Sequence, residues 1–102
     1  DDVATTTESP IFHFNRTRLY PISPNPASGI VKLGYTLAES GPVRLEVSDS
    51  QGRLVRTLQR DGLRMAGEHV LDWDSATVAP GLYFVTLRAG GATQTQKVLV
   101  LP

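Results

Sequence analysis

The chain has no cysteine among its 102 residues, which excludes disulfides, thiolate chemistry and the usual zinc frameworks. It also has no excess of charge, because ten Lys plus Arg balance ten Asp plus Glu. A nucleic-acid surface or a polybasic membrane patch shows as a basic excess, so no nucleic-acid partner is expected. No apolar run reaches the length of a membrane helix. The two histidines, His13 and His69, are far apart in sequence. No Ser/His/Asp spacing, H-E-x-x-H, phosphate loop or paired-carboxylate motif occurs. The expectation is a non-enzyme with no cofactor and no catalytic residue. A secretory leader is not recognisable, and Asp1-Asp2 is a poor native start, so the chain reads as a portion of a larger protein.

What is present is alternation. From Leu19 onward the pattern is β, and no helical period competes with it. In GIVKLGYTL, Val31, Leu33, Tyr35 and Leu37 share one face, while Lys32, Gly34 and Thr36 take the other. PVRLEVSD repeats this with Val43, Leu45 and Val47 against Arg44, Glu46 and Ser48. Turn chemistry separates the runs at Gly41-Pro42 and at Asp49-Ser50-Gln51-Gly52. RLVRTLQR reads as a shorter, less regular strand, closed off by Asp61-Gly62 and Ala66-Gly67. EHVLDWD places His69, Leu71 and Trp73 on one face, and a strand–turn–strand pair follows around Gly90-Gly91. About seven short strands at this spacing predict an all-β, immunoglobulin-like antiparallel sandwich over residues 19–102. Residues 1–18 hold TTTESP and then IFHFNRTR, and read as a linker from an upstream domain. The expected core is Val31, Leu33, Tyr35, Leu37, Val43, Leu45, Val47, Val55, Leu58, Leu71, Trp73, Tyr83, Val85 and Leu87.

A two-residue Gly90-Gly91 turn puts Ala89 opposite Ala92 and Tyr83 opposite Val98. With Tyr83, Val85 and Leu87 inward, Gln94, Gln96, Val98 and Val100 also point inward. Lys97, Leu99 and Leu101 then form an outward basic–apolar stripe. A longer loop would reverse both sets, burying Lys97 in place of the glutamines. The first register is preferred, with the glutamine amides reaching solvent at the rim. The final strand is expected to be an unprotected edge, able to pair with a second copy.

Other candidate sites have plainer structural readings. Asp72 and Asp74 flank Trp73, with Asp49 and Asp61 in turns, but calcium wants six or more clustered oxygens. These acids are expected as turn caps and solvated strand positions. Trp73 and Tyr35 belong to the inward sets, which leaves Phe12, Phe14 and Tyr20 as the aromatics for a sugar platform. Asn15-Arg16-Thr17 matches the N-glycosylation pattern, a tripeptide common by chance. His69 is expected at the rim.

Three short motifs in order carry a resemblance. Pro24-Asn25-Pro26-Ala27-Ser28-Gly29 resembles a P-x-P-x-x-G opening, although Ile22-Ser23 intervene after Tyr20-Pro21 where Tyr-Pro-Asn-Pro is usual. Gly81-Leu82-Tyr83 resembles a G-x-Y motif, and Lys97-Val98-Leu99-Val100 resembles a terminal lysine-plus-apolar motif. Together they resemble the type IX secretion C-terminal sorting domain (the type A Por secretion tail), itself related to the immunoglobulin-like module of flagellar hook-capping proteins. The resemblance implies a signal that takes an upstream cargo protein through the periplasm and an outer-membrane translocon to the bacterial surface. A sortase-like peptidase would remove it somewhere in residues 5–20, with the cargo attached to surface lipopolysaccharide. Pro24, Pro26, Gly29 and Gly81 have a good structural reading as edge and turn residues, and Tyr83 is expected to face the core. Lys97 and the outward residues have the better claim to recognition, since folding does not demand them. The competing reading is a non-catalytic carbohydrate-binding or structural accessory module of a secreted enzyme.

Overall fold

Alternating apolar residues bury one face of each strand, and the protein closes those faces against each other in two antiparallel sheets. The computed structural model describes residues 16–102. Strands run β1 (Arg18–Leu19), β2 (Ile30–Leu37), β3 (Gly41–Asp49), β4 (Leu54–Arg64), β5 (Gly67–Asp74), β6 (Gly81–Ala89) and β7 (Ala92–Val100), with a 3₁₀ turn at Ser75–Thr77. The sheets have orders β1-β2-β5 and β4-β3-β6-β7. This three-on-four arrangement is the expected immunoglobulin-like sandwich.

The core follows the alternation. Val31, Leu33, Tyr35 and Leu37 from β2 are buried with Val43, Leu45 and Val47 from β3, Trp73 from β5, and Tyr83, Val85 and Leu87 from β6. Val55, Leu58 and Leu71 pack against this cluster but are only partly buried. Leu19, Ile22 and Ala27 join the core from the stretch before β2, where no alternation announced them. Thr36 breaks its face pattern and is buried, with its hydroxyl donating to the Arg16 carbonyl at 3.2 Å.

The final hairpin adopts the preferred register. Gly90 and Gly91 both have positive φ, 56° and 80°, as a two-residue turn matched to strand twist requires. Ala89 pairs with Ala92, and Tyr83 with Val98. Val98 and Val100 are buried, and Lys97, Leu99 and Leu101 are exposed.

Two details differ from expectation. The glutamine amides do not reach for solvent. Gln94 Oε1 accepts the Leu19 amide N–H at 3.1 Å, and Gln96 Nε2 donates to the Leu19 carbonyl at 2.9 Å. Just after β1, Tyr20 donates its N–H to the Gly34 carbonyl of β2, so the Leu19 backbone groups face away from that partner. The glutamines supply what a further strand would, and they join the edges of the two sheets. Second, β4 does not end at Arg60 but runs to Arg64. Its pairing with β3 slips at several points, and Asp61, at φ 49°, sits inside the strand rather than in a turn. Irregular pairing absorbs the Asp61-Gly62 signal as a bulge.

Replacing Gln94 and Gln96 together by Leu leaves the Leu19 amide and carbonyl without those partners. We expect a loss of roughly 1–3 kcal/mol in stability, seen as a lowered Tm in thermal denaturation with the β circular-dichroism spectrum kept.

Candidate functional site

The first motif lies more than 50 positions before the other two in sequence, yet the topology brings all three to one pole of the sandwich. β2 starts at Ile30, just after the first motif, and Ile30 pairs with Asp74 at the end of β5. β6 starts at Gly81, which pairs with Val100 near the end of β7. All three motifs therefore share the end at which β2 and β6 begin and β5 and β7 finish.

The first motif is a strap along the free edge of β7. Asn25 Nδ2 donates to the Lys97 carbonyl at 3.1 Å, and Asn25 Oδ1 accepts the Leu99 N–H at 3.1 Å. The backbone then takes over. The Ala27 N–H donates to the Leu99 carbonyl at 2.7 Å, and the Leu101 N–H donates to the Ala27 carbonyl at 2.8 Å. Ala27 is fully buried, whereas Pro24, Asn25 and Pro26 are exposed. The expected unprotected edge is thus corrected over this stretch. From the Lys97 carbonyl to the Leu101 amide, the groups a second copy would need are already engaged. Gly29 closes the strap at φ 83°, a left-handed value that favours glycine. Its carbonyl accepts both the amide and the hydroxyl of buried Ser75, at 2.9 and 2.7 Å.

The second motif supplies the strand that β7 lies on. Tyr83 is buried at the start of β6, and its hydroxyl donates to the Ala79 carbonyl at 2.6 Å. This is a tyrosine corner, the device that fixes the turn before the equivalent strand in immunoglobulin-like domains. Tyr83 is accounted for by folding, as are the buried Val98 and Val100.

The outward residues form a wider surface than one strand. Leu82 pairs with Leu99, and Phe84 pairs with Lys97. Leu82, Leu99 and Leu101 are 37%, 42% and 43% exposed, less than Leu54, Leu63, Met65 and Val70 elsewhere on the sandwich, so their grouping beside Lys97 and not their exposure sets them apart. Phe84 is half-buried beside Lys97. Leu82 and Phe84 were not among the residues expected at this surface, although the hairpin register alone places them there. Asn25 has no role that the sequence reveals, because its partners 72 and 74 residues away leave no local signal. Farther along the same sheet face the charges answer one another: Arg44 bridges Asp61 and Glu46, and Arg88 approaches Glu46 at 3.6 Å. Within the described residues, no such acid partner is seen for Lys97.

The remaining candidates resolve into structural roles. Asp72 pairs with Lys32 at 2.7 Å, and Asp74 caps the 3₁₀ turn through the Ala76 amide. Asp61 is held below the usual carboxylate range by its hydrogen bond to Arg44, and Arg44 is pushed up by Asp61 in turn. Asp49 accepts the amides of Arg53 and Gln51 and the Arg53 guanidinium, at 3.0, 2.9 and 2.8 Å. The Arg53 amide leads in lowering its pKa. Among the described residues, no three His, Cys, Asp or Glu side chains group as a metal site. Burial pushes the Tyr35 phenol up, and its ring stacks on half-buried His69 at 5.2 Å. Tyr20 lies against Gly34, with Arg18 5.4 Å over its ring, and Trp73 is buried, so none of these aromatics makes an open platform. Phe12, Phe14, His13 and Asn15 lie outside the described residues. Thr17 uses its hydroxyl to accept the Ala38 amide. A groove of about 200 Å³ lies at the opposite pole, between Thr17, the turn around Ser40, Ala89 and Gly90. It is smaller than a typical small-molecule pocket.

Comparison with known families gives one match: the model of the secretion system C-terminal sorting domain aligns with residues 21–101. A search of curated proteins gave no match. The aligned span contains all three motifs.

The depressed pKa of Asp49 sets a sign for its pH dependence. Its contribution is present above the ordinary carboxylate value and is lost as pH falls through the lower folded value. Thermal melts should therefore show Tm falling below about pH 4, and Asn at position 49 should flatten that fall.

Proposed function

Because the chain belongs to the secretion system C-terminal sorting domain family, and so is a sorting signal of type IX secretion, we propose that the machinery reads it on the outer face of β6 and β7 at the motif pole. Leu82, Phe84, Lys97, Leu99 and Leu101 make up this face. The observation that carries the reading is the division within β7. Val98 and Val100 go to the core, while Lys97, Leu99 and Leu101 stay outside, where the fold gives them no buried task. Pro24, Pro26, Gly29, Gly81 and Tyr83 act behind this face, by shaping the strap and the β6 corner that hold it.

The sorting domain is attached to an upstream cargo protein and is exported to the surface or secreted. In finer detail, the route runs through the periplasm and an outer-membrane translocon, and the domain itself is non-catalytic. Residues 1–18 serve as the linker to the cargo, although its last three, Arg16 to Arg18, are already bonded to Thr36 and Ala38 of the sandwich. A sortase-like peptidase cuts within residues 5–20 and transfers the cargo to surface lipopolysaccharide. The chain passes Thr17 beside Ala38, at the far end of β2 from the motifs. Eight residues of strand span roughly 26 Å, so cutting in the linker and reading at the motif pole need not compete for the same surface.

A fusion of residues 1–102 to a reporter, in a host carrying this secretion system, tests the reading. We expect surface display of the wild type and its loss on deletion of Lys97–Pro102. The pair Lys97→Glu and Leu99→Ser should cut display by roughly tenfold, with little change in Tm because exposed positions contribute little to stability. Display that survives both changes would show that recognition lies elsewhere on the domain.

A further inference from the structure

The strap residue Asn25 has a task that burial and packing do not explain. It is exposed and belongs to no core cluster, yet its side-chain amide makes two contacts with the edge of β7. An amide offers one acceptor oxygen and an NH₂ donor, the same pair a neighbouring strand residue presents. Asn25 uses them as a strand would, donating to the Lys97 carbonyl and accepting the Leu99 N–H. Ala27 repeats the exchange with its own backbone at Leu99 and Leu101. Pro24 and Pro26 on either side of Asn25 have no amide hydrogen, so neither can donate to that edge. The two groups that Asn25 grips belong to Lys97 and Leu99, the residues whose side chains must point outward for the surface to exist. An edge strand near its end frays more readily than the interior of a sheet, and a slip by one residue would turn both side chains inward.

We propose that Asn25 is a positioning residue for recognition, pinning the edge of β7 so that Lys97 and Leu99 are presented in a fixed register. This role rests on the reading of the β6–β7 outer face as the recognised surface. Asn25 need not touch the partner itself.

The test joins amide hydrogen exchange on the purified chain with surface display of the reporter fusion. In Asn25→Ala the Leu99 amide should exchange about five- to tenfold faster, while the amides of Val85 and Leu87 in β6 keep their protection. Asn25→Asp keeps the acceptor for Leu99 and loses the donor for the Lys97 carbonyl, so its Leu99 amide should stay protected. Val43→Ala, a core change near the opposite pole, serves as the stability control. Display of Asn25→Ala should fall roughly tenfold below that of Val43→Ala although its Tm is the higher of the two. Equal display of these two variants, or unchanged exchange at Leu99, would overturn the role of Asn25. A wild-type fusion that is not displayed would instead overturn the reading on which the role rests, while the exchange result would still decide whether Asn25 pins the strand.

Discussion

The register of the β6–β7 hairpin is the constraint on which the motif pole depends. A two-residue turn at Gly90-Gly91, with both residues at positive φ, leaves one pairing open to the strands. That pairing fixes the parity of β7 along its nine residues. Parity sends Val98 and Val100 into the core and leaves Lys97, Leu99 and Leu101 outside. It also decides which backbone groups of β7 face away from β6. Those of Lys97, Leu99 and Leu101 turn toward the strap, and the inward glutamines turn toward β1. A slip of one residue would undo the core face, the outward face and both edge contacts together.

Side-chain amides recur where a strand lacks a neighbour. Leu19 has its outward backbone groups met by Gln94 and Gln96, and the edge of β7 is met by Asn25. In each case a primary amide stands in for a peptide group, because it carries a donor and an acceptor at the end of one side chain. The glutamines tie one sheet edge to the other, across the open side of the sandwich. Asparagine ties a proline-flanked loop to the same strand farther along. An edge strand left bare is a template for unwanted pairing, and over Lys97–Leu101 this protein covers it with two residues of loop.

Much of this was legible in the sequence, for a physical reason. Strict alternation in β2, β3 and β6 reports a sheet with one dry face, and every buried residue of those strands except Thr36 followed from it. Thr36 escapes because its cover is the loop at Arg16, a long-range contact. Leu19, Ile22 and Ala27 lie in pieces too short for a period to show. The sequence signals an early end to β4 because Asp61-Gly62 resembles a turn, whereas a bulge uses the same residues without ending the strand. For the site, Lys97, Leu99 and Leu101 could be placed from the turn length alone. Leu82 and Phe84 were within reach of the same register. Asn25 was not, since its function exists only when residues 72 and 74 positions later arrive beside it.

That separation bears on how a sorting signal of this kind can be read. The strap can close only after β7 has formed, and β7 holds its parity only on β6, which the Tyr83 corner sets in place. Each motif is short and carries little information by itself. Assembled, they converge on one pole, and the outward residues acquire a fixed spacing that no isolated peptide of the same sequence would keep against the entropy of an unfolded chain. On the proposed reading, recognition of this face would also check folding, because a domain that has not completed its last strand does not present the surface. The chain enters the sandwich beside Ala38 at the other pole, so the side that faces the upstream cargo is separate from that surface.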